Sequence, residues 1–356
     1  MDRLTAIINQ INPLQSKLLK EGRDYCDRLA KPLGALGKME EIYARLYAIF
    51  RGDIRLEKKV MMVYVSDNGI VDEGVSSNPQ ETTYIVAKNM LDGQAAIAIL
   101  AKQCQAELCV VDSGCKRDIY PTSDDKISQG TKNMLLEAAM TREQAIQAIL
   151  LGYDKTCEWI EQGYTLFGTG EMGIGNTTTS AALISAILEI PPSEVTGYGA
   201  GLTESMKDHK TEVIETCLKK HAPFEDSLDI VSKIGGYDIL GMVGTHLACA
   251  QYQLPCVVDG LISATGLLVA SQFSRLVLDY AFASHISTEP GYRLVQERLG
   301  LNPLLSMDMR LGEGVGCPFI FDIMETSVTT IEAMPQFKDS LLNKEDYVDI
   351  RLNEST

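Results

Sequence analysis

Glu171 and Glu313 each stand between glycines, and these two carboxylates are the most chemically legible residues of the 356-residue chain. Around the first, residues 168–182 read GTGEMGIGNTTTSAA, with Gly168, Gly170, Gly173 and Gly175 followed by Asn176, Thr177, Thr178 and Thr179. The apolar run 164–167 before them is strand-like, and 180–190 (SAALISAILEI) after them has helical composition. In a strand–glycine loop–helix unit, backbone N–H groups approach a ligand closely, and the helix start adds about half a positive charge. Gly173, Gly175, Asn176 and Thr177 are therefore candidate anion contacts, although the same residues also suit a tight turn with an ordinary cap. No Lys-Ser/Thr pair follows the glycines, so the loop is not a P-loop. Glu171 would repel a phosphate, and so reads as facing a sugar hydroxyl or a proton in transit.

The second glutamate lies in 309–316 (MRLGEGVG), where Gly312, Gly314 and Gly316 keep the backbone open to a ligand. A carboxylate in an apolar, water-poor setting rises from about 4.3 towards about 6–7 and serves as a general base. The structural alternative is a carboxylate hydrogen-bonded to the N–H groups of its own loop.

The elements that must position these groups follow from the apolar pattern. Residues 60–65 (VMMVYV) form a continuous apolar run, as expected of a parallel strand buried on both faces, and 107–111, 164–167, 254–258 and 280–283 are further strands. Asp67, Asp112 and Asp259 fall just past strand ends, at the edge where open parallel sheets bind ligands. Helices are expected over 2–29, 38–51, 84–103, 142–153, 180–190, 204–220, 237–251, 263–271, 292–299 and 319–334, with Thr141 capping one of them. Lys207 and Lys210, on adjacent turns, have the pattern of a solvated face. The repeated strand–turn–helix order predicts a doubly wound α/β fold with a mostly parallel sheet spanning 53–299. Residues 1–52 and about 300–356 carry no strand pattern and are expected to form a smaller helical domain together.

Composition narrows the function. A net charge of −16 argues against nucleic acid as a partner. No apolar run has membrane-spanning length, and the amino terminus lacks the form of a signal peptide. Nine cysteines, an odd number without a CxxC pair, suit reduced thiols in a cytoplasmic protein, and with four unclustered histidines no metal site or cofactor is expected.

GEMGIGNTTTSAA (170–182), SHISTEPGYR (284–293) and MRLGEGVG (309–316) together resemble the nicotinate-nucleotide:dimethylbenzimidazole phosphoribosyltransferase family of cobamide assembly. Local agreement extends to KPLGALGKME (31–40), SDNGIVDEGVSSNPQE (66–81), GTKN (130–133), IGGYDILGMVG (234–244) and VVDGLIS (257–263), so the resemblance covers about 31–337. It implies a Rossmann-like large domain and transfer of phosphoribose from nicotinate mononucleotide to an aromatic lower-ligand base, with an α-linked product. It also implies that Glu313 is the general base and that Glu171 and Lys210 belong to the site, Lys210 being placed by its spacing from Glu171. Gly173, Gly175, Asn176, Thr177, Lys210 and Ser287 are the implied phosphoribosyl and nicotinate contacts. Asn68, Ser76, Ser77, Tyr84, Ile85 and Leu311 are the implied acceptor contacts. The chemistry suits these residue types: nicotinate leaves a pyridinium as a neutral ring and needs no acid, while the acceptor needs one base.

Asn68 stands where the family usually has histidine and Ile85 where it has glutamine, which removes polar groups from the acceptor side. Ile286 and Tyr292 similarly replace glutamine and histidine. One branch of the family uses phenolic acceptors and pairs two unlike paralogous subunits, so phenol or p-cresol and a paralogous partner are alternatives to dimethylbenzimidazole and a homodimer. A non-catalytic subunit supporting a partner's site is the remaining alternative. The apolar face of 38–51 (Ile42, Leu46, Ile49) is the expected dimer surface.

Overall fold

The computed structural model describes residues 2–121, 125–199, 201–347 and 349. Five strands, β1 (Lys59–Ser66), β2 (Glu107–Gly114), β3 (Leu166–Met172), β4 (Cys256–Val258) and β5 (Ala281–Ala283), form one sheet in the order β2-β1-β3-β4-β5. Every pairing is parallel, so the sheet is wholly rather than mostly parallel. β1 is buried along its whole length, as its unbroken apolar run requires.

Helices α1 (Asp2–Asn9), α2 (Ser16–Asp27) and α3 (Lys38–Phe50) precede the sheet, and α4 (Thr82–Leu91) and α5 (Ala96–Gln103) connect β1 to β2. α6 (Arg142–Glu161) leads to β3. α7 (Asn176–Leu188), α8 (Pro192–Val195), α9 (Glu204–His221), α10 (Ser227–Ile234) and α11 (Tyr237–Gln251) then lead to β4. α12 (Leu261–Phe273) joins β4 to β5, and α13 (Pro290–Leu299) and α14 (Cys317–Ala333) follow. α4, α5 and α14 cover one face of the sheet, and α11 and α12 cover the other. The winding direction reverses between β1 and β3, and the carboxyl ends of the strands open a crevice there.

Several boundaries differ from the sequence pattern for identifiable reasons. The strand expected at 164–167 runs on through the glycines to Met172, because the neighbouring β1 supplies a ladder that pairs Tyr64 with Glu171. Glu171 is therefore a strand residue, not a loop residue. The helix expected over 84–103 is two helices, separated where Gly93 takes φ +73°. Thr141 caps α6 in a reciprocal capping box with Gln144, and α6 then runs to Glu161.

The apolar face of α3 is consumed inside the chain. Ile42, Leu46 and Ile49 are buried in the same core as the strands, so this face is not a free dimer surface. The segment after α2 meets the segment after α14: Ala30 N–H donates to Pro335 O (2.9 Å), and Phe337 N–H donates to Arg28 O (2.9 Å).

α11 is the central helix, buried from Tyr237 to Ala250, and small residues let it lie close to its neighbours. An added Cβ at Gly152 of α6 would sit 1.9 Å from Gly241 O, and one at Gly241 would sit 2.3 Å from the Tyr64 ring. Tyr64 Oη and Thr245 Oγ1, 2.7 Å apart, share a hydrogen bond that ties β1 to α11. Glycine-to-alanine in a helix interior normally gains about 0.5–1 kcal/mol. At Gly152 the sign reverses: Gly152→Ala is expected to cost about 1–3 kcal/mol through overpacking of two backbones. Thermal unfolding measures this, and an unchanged or higher midpoint would mean that α6 and α11 separate freely.

Candidate active site

A cavity of about 230 Å³ lies at the carboxyl edge of the sheet, and both glycine-bracketed glutamates line it. The first, Glu171, is the penultimate residue of β3 and is 6% exposed. Asn176, in the first turn of α7, points its Nδ2 at Glu171 Oε2 and also donates to Asp238 Oδ2 (2.9 Å). Asn68, just past β1, donates through Nδ2 to Ser66 O (3.3 Å) and accepts at Oδ1 from Thr179 Oγ1 (2.8 Å). The start of α7, the end of β1 and the start of α11 are thus linked through one buried polar network. Gly173 is required there, since a Cβ would sit 2.4 Å from Ser66 O and 2.6 Å from Asp238 Oδ2.

Burial, reinforced by the nearby Asp238 carboxylate, pushes Glu171 up to about 8. Burial also raises Asp238 to about 6, against the hydrogen bond from Asn176. Around neutral pH, Glu171 therefore holds its proton.

The second glutamate sits in an unusual backbone. Gly312, Glu313 and Gly314 all take left-handed φ values, +87°, +62° and +92°. Two of the three are glycine, for which this costs little, and Glu313 is the non-glycine residue held there. Its Oε2 accepts from Ile97 N–H at the start of α5 (3.4 Å), while burial raises its affinity for a proton. The two glutamate segments interlock. A Cβ at Gly170 would lie 2.2 Å from Glu313 O, and one at Gly312 would lie 2.5 Å from Glu171 Oε1.

At the other side of the start of α7, Lys210 reaches in from α9. It is 1% exposed and not on the solvated face that its spacing suggested. Its Nζ donates to Thr177 Oγ1 (2.8 Å), and burial lowers it to about 8 against the pull of Glu289. Glu289 Oε1 in turn accepts from Gly199 N–H (3.0 Å). A cation and a helix amino terminus converge on this side of the cavity, an arrangement suited to an anion.

Glu171, Glu313, Gly173, Gly175, Asn176, Thr177 and Ser287 line the cavity, as do Ser76, Ser77 and Leu311, and Lys210 stands directly behind Thr177. Asn68 is fully buried behind Gly175, with its amide committed to protein partners. Tyr84 lies under the Arg117 guanidinium (3.9 Å), and Ile85 is 49% exposed. The wall is built by Thr82 and Val86 instead. Residues four apart share a helix face, and Tyr84 and Ile85, between Thr82 and Val86, turn away from the cavity. Sequence spacing without a helical phase does not distinguish these positions.

Asp238, Asp259 and Glu289 join the site without a role having been assigned from sequence. Asp259 carried a signal, standing just past a strand, and Glu289 falls within SHISTEPGYR. Asp238 falls within IGGYDILGMVG, but its place beside Asn176 depends on how α11 packs.

The chain matches the phosphoribosyltransferase family model over residues 11–341. It is 40% identical to the nicotinate-nucleotide–dimethylbenzimidazole phosphoribosyltransferase of Clostridium tetani, over 99% of this chain and 98% of that protein. Identity to the Geobacter sulfurreducens protein of the same name is 39%, over 98% of this chain and 100% of that one. The crystal structure of CobT from Thermus thermophilus superposes with a TM-score of 0.88 at 34% identity, covering 92% of this chain and 99% of that one.

The raised proton affinity of Glu171 makes stability depend on pH with a definite sign. Below its ordinary value of 4.5 the group is protonated whether the chain is folded or not, and the buried neutral form carries no charge penalty. Between 4.5 and about 8 the unfolded chain releases the proton while the folded chain keeps it, so stability falls as pH rises. Glu171→Gln removes this loss. Its unfolding midpoint is expected to gain on the parent steadily from about pH 5 to about pH 8. A gap independent of pH would mean that Glu171 is ionised in the folded protein.

Proposed function

The chain belongs to the nicotinate-nucleotide–dimethylbenzimidazole phosphoribosyltransferase family, and on that premise we propose that its cavity moves phosphoribose from nicotinate mononucleotide to an aromatic lower-ligand base, giving an α-linked ribotide and nicotinate in cobamide assembly. The observation that carries the proposal is the delivery of two buried carboxylates, Glu171 and Glu313, to one cavity beside the start of α7.

In this reading the 5′-phosphate lies against the Gly173–Thr177 turn, Ser287 and Lys210. A phosphate there favours the charged form of Lys210, offsetting the burial that lowers it. Nicotinate departs as a neutral ring, so the site needs no acid at that nitrogen. Positive charge builds at C1′ of the ribose as the bond to nicotinate breaks, and carboxylate oxygens near that carbon stabilise it. Glu313 takes the acceptor's proton, and burial raises its affinity for that proton. Glu171, protonated, holds a sugar hydroxyl by hydrogen bonding.

A second reading concerns the acceptor. Asn68 spends its amide on Ser66, Asp238 and Thr179, while Val75, Val86, Leu202 and Leu311 give the cavity an apolar wall. An acceptor that attacks through the oxygen losing its proton, such as phenol or p-cresol, asks only for such walls. Benzimidazole additionally gains from a polar partner at its second nitrogen, for which Ser76 and Ser77 are the candidates. Assembly with a second copy or a paralogue would draw on the exposed apolar side chains of Ile85, Ile286 and Leu311.

Glu313→Gln is expected to lower turnover by about 10²–10⁴ with nicotinate mononucleotide binding nearly unchanged. Turnover within a few-fold of the parent would remove Glu313 from the role of base. For the acceptor, dimethylbenzimidazole, phenol and p-cresol are supplied in competition with nicotinate mononucleotide and the products identified by mass. Dimethylbenzimidazole ribotide is the expected main product. Phenolic ribotide in excess would establish the second reading, and no ribotide from any acceptor would defeat the transferase proposal.

A further inference from the structure

We infer that Asp259 is a positioning residue for the general base: its carboxylate, at the end of β4, grips the Glu313 loop by the backbone and sets where the Glu313 side chain points. This rests on the proposal that Glu313 is that base. Asp259 is 3% exposed, and both of its oxygens are engaged. Oδ2 accepts from Gly314 N–H (3.2 Å) and Oδ1 from Gly316 N–H (2.7 Å), so the contacts fall one and three residues beyond Glu313.

The geometry explains why such a grip is needed. Three successive left-handed residues make no helix or strand ladder, and the loop's own bonds are turn closures, such as Val315 N–H to Gly312 O (3.2 Å). Asp259 ties this turn to the sheet. It is itself held rigidly: its N–H donates to Ser263 Oγ (3.1 Å), and its carbonyl accepts from Ser284 Oγ (3.2 Å). A Cβ at Gly316 would lie 2.8 Å from Asp259 Oδ1, so the absence of a side chain there lets the carboxylate reach the amide. The amide it takes at Gly316 immediately precedes α14, where a helix start favours a negative charge. The two N–H donors reach two different oxygens, whereas a carboxamide presents one oxygen and one NH₂.

A residue that acts by aiming the base lowers the rate of the chemical step and leaves the binding of the phosphoribosyl donor alone. Asp259→Asn keeps the size of the side chain but turns an NH₂ towards one of the two amides. Expected is a fall in kcat of about 10–100-fold with KM for nicotinate mononucleotide within about threefold of the parent. In the Glu313→Gln background the same substitution is expected to add less than about twofold, because the group it aims is already gone. Parental kcat in Asp259→Asn, or a loss that multiplies in full with Glu313→Gln, would overturn the inference while leaving Glu313 as base. Parental turnover in Glu313→Gln alone would remove the premise, and with it this role for Asp259. Should Asp259→Asn fail to fold, Asp259→Glu is measured instead. It keeps the charge and moves it by one methylene, so a kcat loss with KM preserved supports the role, and parental kcat overturns it.

Discussion

The site depends on a steric constraint: two backbone segments far apart in sequence approach until only hydrogen fits between them. Gly170 faces the carbonyl of Glu313, and Gly312 faces the carboxylate of Glu171. Each glycine is required by the other segment's glutamate, and this explains why each glutamate is preceded by glycine. A methyl group at either position would push the two carboxylates apart, and with them the walls of the cavity. The left-handed backbone at residues 312–314 has the same origin, since the loop must turn sharply to lay Glu313 against β3.

Bringing carboxylates together in a place poor in water has an electrostatic consequence. Glu171, Asp238, Asp259 and Glu313 are all buried around one crevice, and burial raises the proton affinity of each. They are not raised alike. Glu171 has Asp238 nearby and lies at about 8, whereas Asp259, gripped by backbone amides, lies at about 6. Different surroundings thus assign different protonation states to chemically similar groups, which allows one carboxyl to donate a hydrogen bond while another accepts a proton. Lys210 is the mirror case: a buried ammonium lowered to about 8 by its burial, against the pull of Glu289.

The sheet makes this concentration of groups possible. Its winding reverses between β1 and β3, so the helices leaving those two strands go to opposite faces and leave a crevice between them. The polar network of Asn68, Asn176, Asp238 and Thr179 fills the floor of that crevice. With Asn68 committed to this network, this residue acts on the support of the crevice and not on its surface. Close packing of α11 on β1 and α6 brings Asp238 into the same network.

The strands and most helices were legible in the sequence, because they follow from local patterns: the unbroken apolar run of β1, the glycine turn before α7, the capping box of α6. The two glutamates and the glycine turn before α7 were legible for the same reason, and their motifs also carried the family. The single helices expected over 2–29 and 84–103 each divide in two, and α8 and α10 had no counterpart. The tertiary structure decided what depends on the approach of distant segments. It extended β3 to include Glu171, because pairing with β1 outweighs the poor strand propensity of glycine. It buried Lys210 behind Thr177, although the spacing on α9 was that of an exposed face. It put Thr82 and Val86 in the cavity wall in place of Tyr84 and Ile85, since helical phase is set by what the helix packs on. It consumed the apolar face of α3 within the chain's own core, and it joined Asp259 to the loop of Glu313. Local sequence sets backbone preference within a few residues, whereas burial, proton affinity and the aim of a side chain are set by neighbours that only folding supplies.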